Sequence, residues 1–157
     1  MINMKKILFI NSSPEKSGMT ATYAANLLEG LSYETITLAD YRINFYGSTL
    51  PEDQFDEILA RIRGCDILVL GSPMYWHNLS GGLRVMLDRF YGPVASDSLA
   101  GKDLYLIYQG AAPEKWMLEA GIYTIQRFAS LYGFDYKGCI SYRQDIAPLK
   151  ARLHQSI

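Results

Sequence analysis

Gly71-Ser72-Pro73-Met74-Tyr75-Trp76-His77-Asn78-Leu79-Ser80-Gly81-Gly82 is the stretch that decides how this chain is read. Directly before it stands Asp66-Ile67-Leu68-Val69-Leu70, whose apolar run fits a buried strand. Directly after it stands Leu83-Arg84-Val85-Met86-Leu87-Asp88-Arg89-Phe90, which reads as a helix. A strand therefore ends in a loop holding a rigid proline and two aromatics, and a helix begins just past it. Aromatic rings at the carboxyl end of a parallel strand make a slot for a flat, conjugated ligand.

The same alternation extends in both directions. Residues 5–11, 33–38, 104–108 and 136–141 read as further strands, the first buried on both faces. Helical spacing marks residues 20–31, 50–63, 80–91 and 116–132, with Gly133 ending the last of these and Pro51 with acidic residues opening the second. A closing helix is expected over residues 147–155. Residues 41–49 form the least regular connection, leaving an edge strand along the surface. Strands and helices in alternation imply a parallel sheet covered by helices on both faces, an α/β architecture. No repeat, low-complexity stretch or linker divides residues 1–157, so a single domain is expected.

Composition narrows the function classes. Hydrophobic residues make up 49% and charged residues 20%, which permits an ordinary core. A net charge of −1 argues against a nucleic-acid binder and gives no reason to invoke an anionic membrane surface. Cys65 and Cys139 are far apart and form no C-x-x-C pair, so neither a zinc site nor a cysteine-ligated cluster is expected, and both read as reduced core thiols. At the amino end, beside Lys5 and Lys6, the apolar stretch of residues 7–10 is too short for a signal segment. No run approaches the ~20 apolar residues needed to span a bilayer, and a cytoplasmic protein is expected.

In an open parallel sheet, ligands bind beyond the carboxyl ends of the strands, where strand order reverses. Three loops converge there. The first, Ser12-Ser13-Pro14-Glu15-Lys16-Ser17-Gly18-Met19-Thr20, sets hydroxyls, a lysine and a glycine before a helix. It reads equally as an anion cradle and as a polar loop in which Ser17 or Thr20 caps the helix. It lacks both G-x-x-x-x-G-K-[ST] and G-x-G-x-x-G, which disfavours a P-loop hydrolase and removes the dinucleotide fingerprint. The second loop is the one quoted first. Pro73 restricts its own φ and pushes Ser72 toward an extended form, and Tyr75 and Trp76 are placed to flank a ring system. The third, Gln109-Gly110-Ala111-Ala112-Pro113-Glu114, is built of small residues that let a backbone approach a ligand. His77 reads either as a hydrogen-bonding partner for a substrate or as a packing residue, His154 as solvated, and Asp88 with Arg89 as a structural pair.

These residues resemble the flavodoxin-like NAD(P)H-dependent FMN reductase family, which takes in many small quinone and azo-compound reductases. The likeness rests on Gly71-Ser72-Pro73-Met74-Tyr75-Trp76, Ser80-Gly81, Leu83-Arg84 and Leu87-Asp88-Arg89, and on residues 13–20 against a usual S-P-R-K-x-G-N-T. It implies a three-layer, doubly wound sandwich with a five-stranded parallel sheet of order 2-1-3-4-5. It further implies FMN as cofactor, NAD(P)H as co-substrate, a small quinone, azo, nitroaromatic or flavin acceptor, and a homodimer. Carried over by position, Ser13, Lys16, Ser17, Met19, Thr20 and Ala21 would surround the FMN phosphate. Pro73, Met74, Tyr75, Trp76, His77 and Asn78 would line the isoalloxazine ring, and Gln109, Gly110 and Ala111 would close the third side. No catalytic side chain is implied, because the flavin carries the chemistry.

Glu15 stands where the family usually has arginine, and Met19 where it usually has asparagine. A carboxylate in place of a guanidinium near a phosphate is worth on the order of a few kcal/mol in partly solvated surroundings. Two rival readings stand beside the reductase: a flavodoxin-type electron carrier, against which the net charge of −1 counts, and a flavin-free binding module on the same fold.

Overall fold

A computed structural model describes residues 4–157; residues 1–3, the start of the expected domain and of the lysine-bearing amino end, lie outside the described residues. The strands are β1 (Ile7–Asn11), β2 (Glu34–Thr37), β3 (Ile67–Tyr75), β4 (Asn78–Leu79), β5 (Asp103–Gln109) and β6 (Asp135–Ile140). The helices are α1 (Met19–Leu27), α2 (Phe55–Gly64), α3 (Gly81–Asp88), α4 (Lys115–Tyr132) and α5 (Ile146–Gln155). The sheet runs β2-β1-β3-β5-β6 with every neighbour parallel, and the two-residue β4 folds back antiparallel on β3. Counting the parallel strands alone, this is the 2-1-3-4-5 order expected of a flavodoxin-like fold.

Alternation along the inner strands builds two cores. Leu8, Ile10, Leu68, Leu70, Leu104, Leu106 and Tyr108 face one side, where α2, α3 and α4 add Phe55, Ile58, Ile62, Leu83, Met86, Ile125 and Phe128. Ile7, Phe9, Ile67, Val69, Tyr105 and Ile107 face the other, where α1 and α5 add Tyr23, Ala24, Leu27, Leu149 and Leu153. Successive strand residues point to opposite faces, so a strand covered on both sides is apolar along its covered length, as β1 is from Ile7 to Ile10. Reversal of strand order between β1 and β3 leaves a crevice at their carboxyl ends.

Several boundaries differ from the sequence expectation for physical reasons. β3 does not stop at Leu70 but continues through Tyr75. It pairs with β5 as far as Pro73 opposite Gln109, and Met74 and Tyr75 then pair with β4. Pro73 is tolerated because Gly71 offers its carbonyl to Ser12 N on the β1 side, so Pro73 two residues on faces the same side, where β1 has already ended. The helix expected over residues 50–63 begins at Phe55, because Asp53 Oδ1 accepts the Phe55 N–H (2.8 Å) and Glu52 takes a positive φ of 64°. The helix expected over residues 80–91 is α3, with Ser80 as its cap. Gly133 ends α4 in the left-handed region at φ 94°, as expected, and the closing helix is present as α5, with Pro148 in its first turn, where a missing N–H costs nothing.

Arg89 does not pair with Asp88. It reaches Asp53 and the carbonyl of Asn44 (3.1 Å) and lies 4.8 Å above the Phe55 ring, while Asp88 is exposed. Asp53 also accepts the Asn44 N–H at 2.8 Å, so one carboxylate pins the irregular 41–54 connection to the end of α3 and the start of α2. Burial would raise its pKa, but hydrogen bonds from Arg89, Asn44 and Phe55 outweigh that and hold it down at about 2 rather than 3.8. The folded chain therefore keeps this group ionised where the unfolded chain would protonate it. Its stabilisation is complete above about pH 4 and is lost as pH falls toward about 2. Asp53→Asn is expected to lower the melting temperature at pH 7, with the gap to wild type closing between about pH 4 and pH 2; thermal melts across that range check it.

Candidate active site

Three buried serines join the first two loops. Ser12 N and Ser12 Oγ both donate to Gly71 O at 2.8 Å. Ser80 Oγ donates to Ser12 Oγ at 2.7 Å and accepts the Leu83 N–H at 3.3 Å, capping α3. Ser80 N donates to Ser72 Oγ at 2.9 Å. Gly71 sits where this chain of hydroxyls crosses the sheet, and a Cβ there would lie 2.7 Å from both Phe9 Cε1 and Thr20 Cγ2, so glycine is what lets α1 close on β3. A second tie joins the first loop to the third: Gln109 Nε2 donates to Thr20 Oγ1 at 3.1 Å.

The first loop is shaped from within. Asn11 Oδ1 accepts Ser13 N (3.0 Å), and Ser13 Oγ accepts Glu15 N (3.1 Å). Neither Ser17 nor Thr20 caps α1. The cap position is Gly18, and no side chain bonds to the helix end, so the first-turn amides of Met19, Thr20 and Ala21 are left to an outside partner. Lys16 is exposed and pairs with Asp40 at 2.8 Å, an exposed ion pair of the kind an incoming dianion readily rearranges. Glu15 is exposed and enters no ion pair among the described residues. A cleft of about 460 Å³ beside this loop is lined by Asn11, Lys16, Ser17, Ala21, Thr22 and the β2 residues Thr35 and Thr37. A larger, open hollow of about 840 Å³ lies on the 39–57 surface and is lined by none of the expected site residues.

The second loop is a hairpin rather than an open loop. Tyr75 pairs with Asn78 across a two-residue turn whose members, Trp76 and His77, both have positive φ (49° and 65°). Such turns favour Asn-Gly, and a bulky residue in the left-handed region costs of order 1–3 kcal/mol, a strain that gathers at functional sites. Pro73 is buried, Met74 and Asn78 are half-buried, and Tyr75, Trp76 and His77 are exposed, Trp76 at 95%. His77 packs against Trp116, with ring centroids 5.5 Å apart and planes at 65°. In the third loop, Gln109 and Gly110 are half-buried and Ala111 is exposed, and a Cβ on Gly110 would meet Met74 Cβ at 2.9 Å. Tyr108 lies beneath, its hydroxyl donating to Met117 O; burial pushes that phenol up to about 12 and keeps it neutral.

The tertiary structure thus brings all the expected residues to the carboxyl end of the sheet. Sequence reading passed over Ser12, Ser72 and Ser80 as a connected group. The sequence reading placed Ser80 inside a helix over residues 80–91, and nothing in the sequence pairs it with Ser12. An uncapped helix end, a lysine and neighbouring hydroxyls fit a phosphate, and a proline-bearing aromatic hairpin opposite small residues fits a flat ring system.

Comparison with known proteins agrees with this geometry. A family model described as NADPH-dependent FMN reductase matches residues 5–132, and the chain belongs to that family. It is an NAD(P)H-dependent flavin oxidoreductase with FMN as cofactor. YwqN of Bacillus subtilis (strain 168), named as an NAD(P)H-dependent FMN-containing oxidoreductase, is 29% identical over 153 residues, covering 86% of this chain and 83% of YwqN. The solved Trp repressor binding protein from Bacillus subtilis is 26% identical, with a TM-score of 0.68 over 96% of this chain and 94% of that one. An FMN-dependent NADH-azoreductase from Bacillus anthracis, solved with FMN, shares the fold at 15% identity, with a TM-score of 0.70 over 96% and 97% of the two chains.

Ser80→Ala removes the α3 cap and leaves the buried Ser12 hydroxyl without its donor. It is expected to cost about 1–3 kcal/mol in urea unfolding, whereas Ser17→Ala, at an exposed position that caps nothing, is expected to cost under about 0.5 kcal/mol.

Proposed function

We propose that the crevice formed by residues 12–20, 73–78 and 109–111 holds FMN and that the chain uses it to reduce a small organic acceptor at the expense of NAD(P)H. The uncapped amino end of α1 carries this reading. Three first-turn amides that no side chain of the protein caps, the positive end of the helix dipole and the nearby hydroxyls of Ser13 and Ser17 together suit a dianion. FMN held there would supply the redox chemistry, accepting a hydride from the nicotinamide and passing electrons to the acceptor.

The protein's part is placement. Thr20 and Gln109, fixed to each other, set the distance between the phosphate loop and the third loop. Lys16 and the α1 amides hold the charged tail. Pro73, Met74, Tyr75, Trp76, His77 and Asn78 bound one side of the ring system, and Gln109, Gly110 and Ala111 the other. The exposed Tyr75 and Trp76 leave an aromatic surface open to a planar co-substrate.

A quinone, azo compound, nitroaromatic or free flavin suits that open face. Among the described residues, no helix is long and apolar enough to cross a membrane, which suits a protein of the cytoplasm. The exposed Tyr91 and Tyr123 and their neighbours on α3 and α4 offer aromatic surface for a homodimer. The near-neutral charge favours a reductase over a flavodoxin-type carrier, which is typically acidic.

Purified protein is expected to be yellow or to bind added FMN, and to oxidise NADPH or NADH when a quinone is supplied. Holo-protein that oxidises neither nucleotide with any acceptor overturns the reductase reading, and protein that binds no FMN leaves the flavin-free module. Glu15→Arg is expected to bind FMN more tightly, in fluorescence titration, by about tenfold for each ~1.4 kcal/mol of restored attraction. Equal or weaker binding would show that residue 15 does not face the phosphate.

A further inference from the structure

Two of the three loops' mutual ties are hydrogen bonds: the buried Ser12–Ser80–Ser72 chain between the first and second, and the part-buried Thr20–Gln109 bond between the first and third. The side between the second and third loops is closed differently. His77, at the tip of the β3–β4 hairpin, packs edge-on against Trp116, with centroids 5.5 Å apart. Trp116 is the second residue of α4, and its indole N–H donates to Glu114 Oε2 at 2.9 Å, at the end of the third loop.

The hairpin needs such a restraint. Trp76 and His77 both occupy the left-handed region, without the glycine or asparagine that adopts it freely. A strained backbone persists only when its surroundings hold it there. The base of the hairpin is anchored by two residues of β4 pairing, by the buried Leu79 and by the Ser80–Ser72 bond, but these lie below the turn, and Trp76 at its tip is 95% exposed. His77 against Trp116 is the aromatic contact that ties the turn itself to a rigid element, an 18-residue helix.

We propose that Trp116 is a positioning residue. Acting through His77, and oriented by Glu114, it holds the strained 75–78 turn so that the hairpin keeps its place opposite Gln109 and Gly110. This rests on the reading of the hairpin as the wall of the flavin crevice. Trp116 touches neither cofactor nor substrate in this role; it completes the triangle of ties among the three loops. It is also the exposed side of that triangle, with Trp116 53% accessible, so this is the side on which the crevice yields first.

The test compares wild type with Trp116→Ala, Trp116→Phe, His77→Ala and the Trp116→Ala/His77→Ala double variant. Hydrogen exchange of the peptide spanning residues 75–80 is measured in protein without FMN, and FMN affinity by fluorescence titration. Trp116→Ala is expected to speed exchange in that peptide about two- to tenfold, the range one aromatic pair supplies, and to weaken FMN binding by a similar factor. Trp116→Phe should restore most of both, and the double variant should be no worse than the poorer single one. Trp116 is half exposed, so all variants should melt near wild type. FMN bound normally by wild type, with exchange unchanged in Trp116→Ala, overturns the positioning role and leaves the proposed function intact. Faster exchange with unchanged FMN affinity also overturns it, since the hairpin would then not serve the crevice. Wild type that binds no FMN overturns the flavin reading itself, and this role with it.

Discussion

The meeting of β1 and β3 at Ser12 and Gly71 is the constraint on which the rest of the site depends. Parallel register sets Asn11 opposite Gly71, and the chain leaves β1 there while β3 continues for four more residues. Ser12 bonds back to Gly71 with both its amide and its hydroxyl, and Ser80 closes the chain from the start of α3. These groups are buried, and leaving one unpaired costs about 1–3 kcal/mol. The first loop, the second loop and α3 are therefore tied at one point, and Gly71, with no room for a Cβ, brings α1 against it.

From that junction the crevice gains a graded stiffness. Its base is built of hydrogen bonds among buried serines and of apolar strands packed on both faces. Its rim is the exposed turn at Trp76 and His77, strained in backbone and steadied by an aromatic contact. Such a division suits a site that must keep a cofactor while admitting and releasing small partners from one open face. The second strong polar anchor, Asp53 with Arg89, lies away from the crevice and secures the long connection after β2.

Electrostatics at the phosphate end follow from backbone more than from side chains. Lys16 pairs with Asp40, and Glu15 adds an exposed negative charge beside it. What remains is the amino end of α1, whose amides carry partial positive charge and no cap. Side-chain truncation leaves such donors in place, whereas proline in the first turn of α1 removes one.

Much was legible in the sequence. Runs such as Ile7-Leu8-Phe9-Ile10 and Ile67-Leu68-Val69-Leu70 announce strands covered on both faces, and their alternation with helical spacing implies a doubly wound sheet whose crevice lies at the strand ends. The motifs around Gly71 and Gly18 pointed to the family, and Gly133 to the end of α4. These are local signals, carried by period and by backbone preference. Other features rest on contacts between residues distant in sequence, and only the tertiary structure decided them. β3 runs on through Pro73 because β1 stops short on the proline's side. Arg89 chooses Asp53 over its neighbour Asp88 because the 41–54 connection folds back to meet it. Ser12 finds Ser80, and His77 finds Trp116, only once the sheet and helices have packed. Spacing along a chain sets which way a side chain points, but which partner lies there depends on how whole elements pack together.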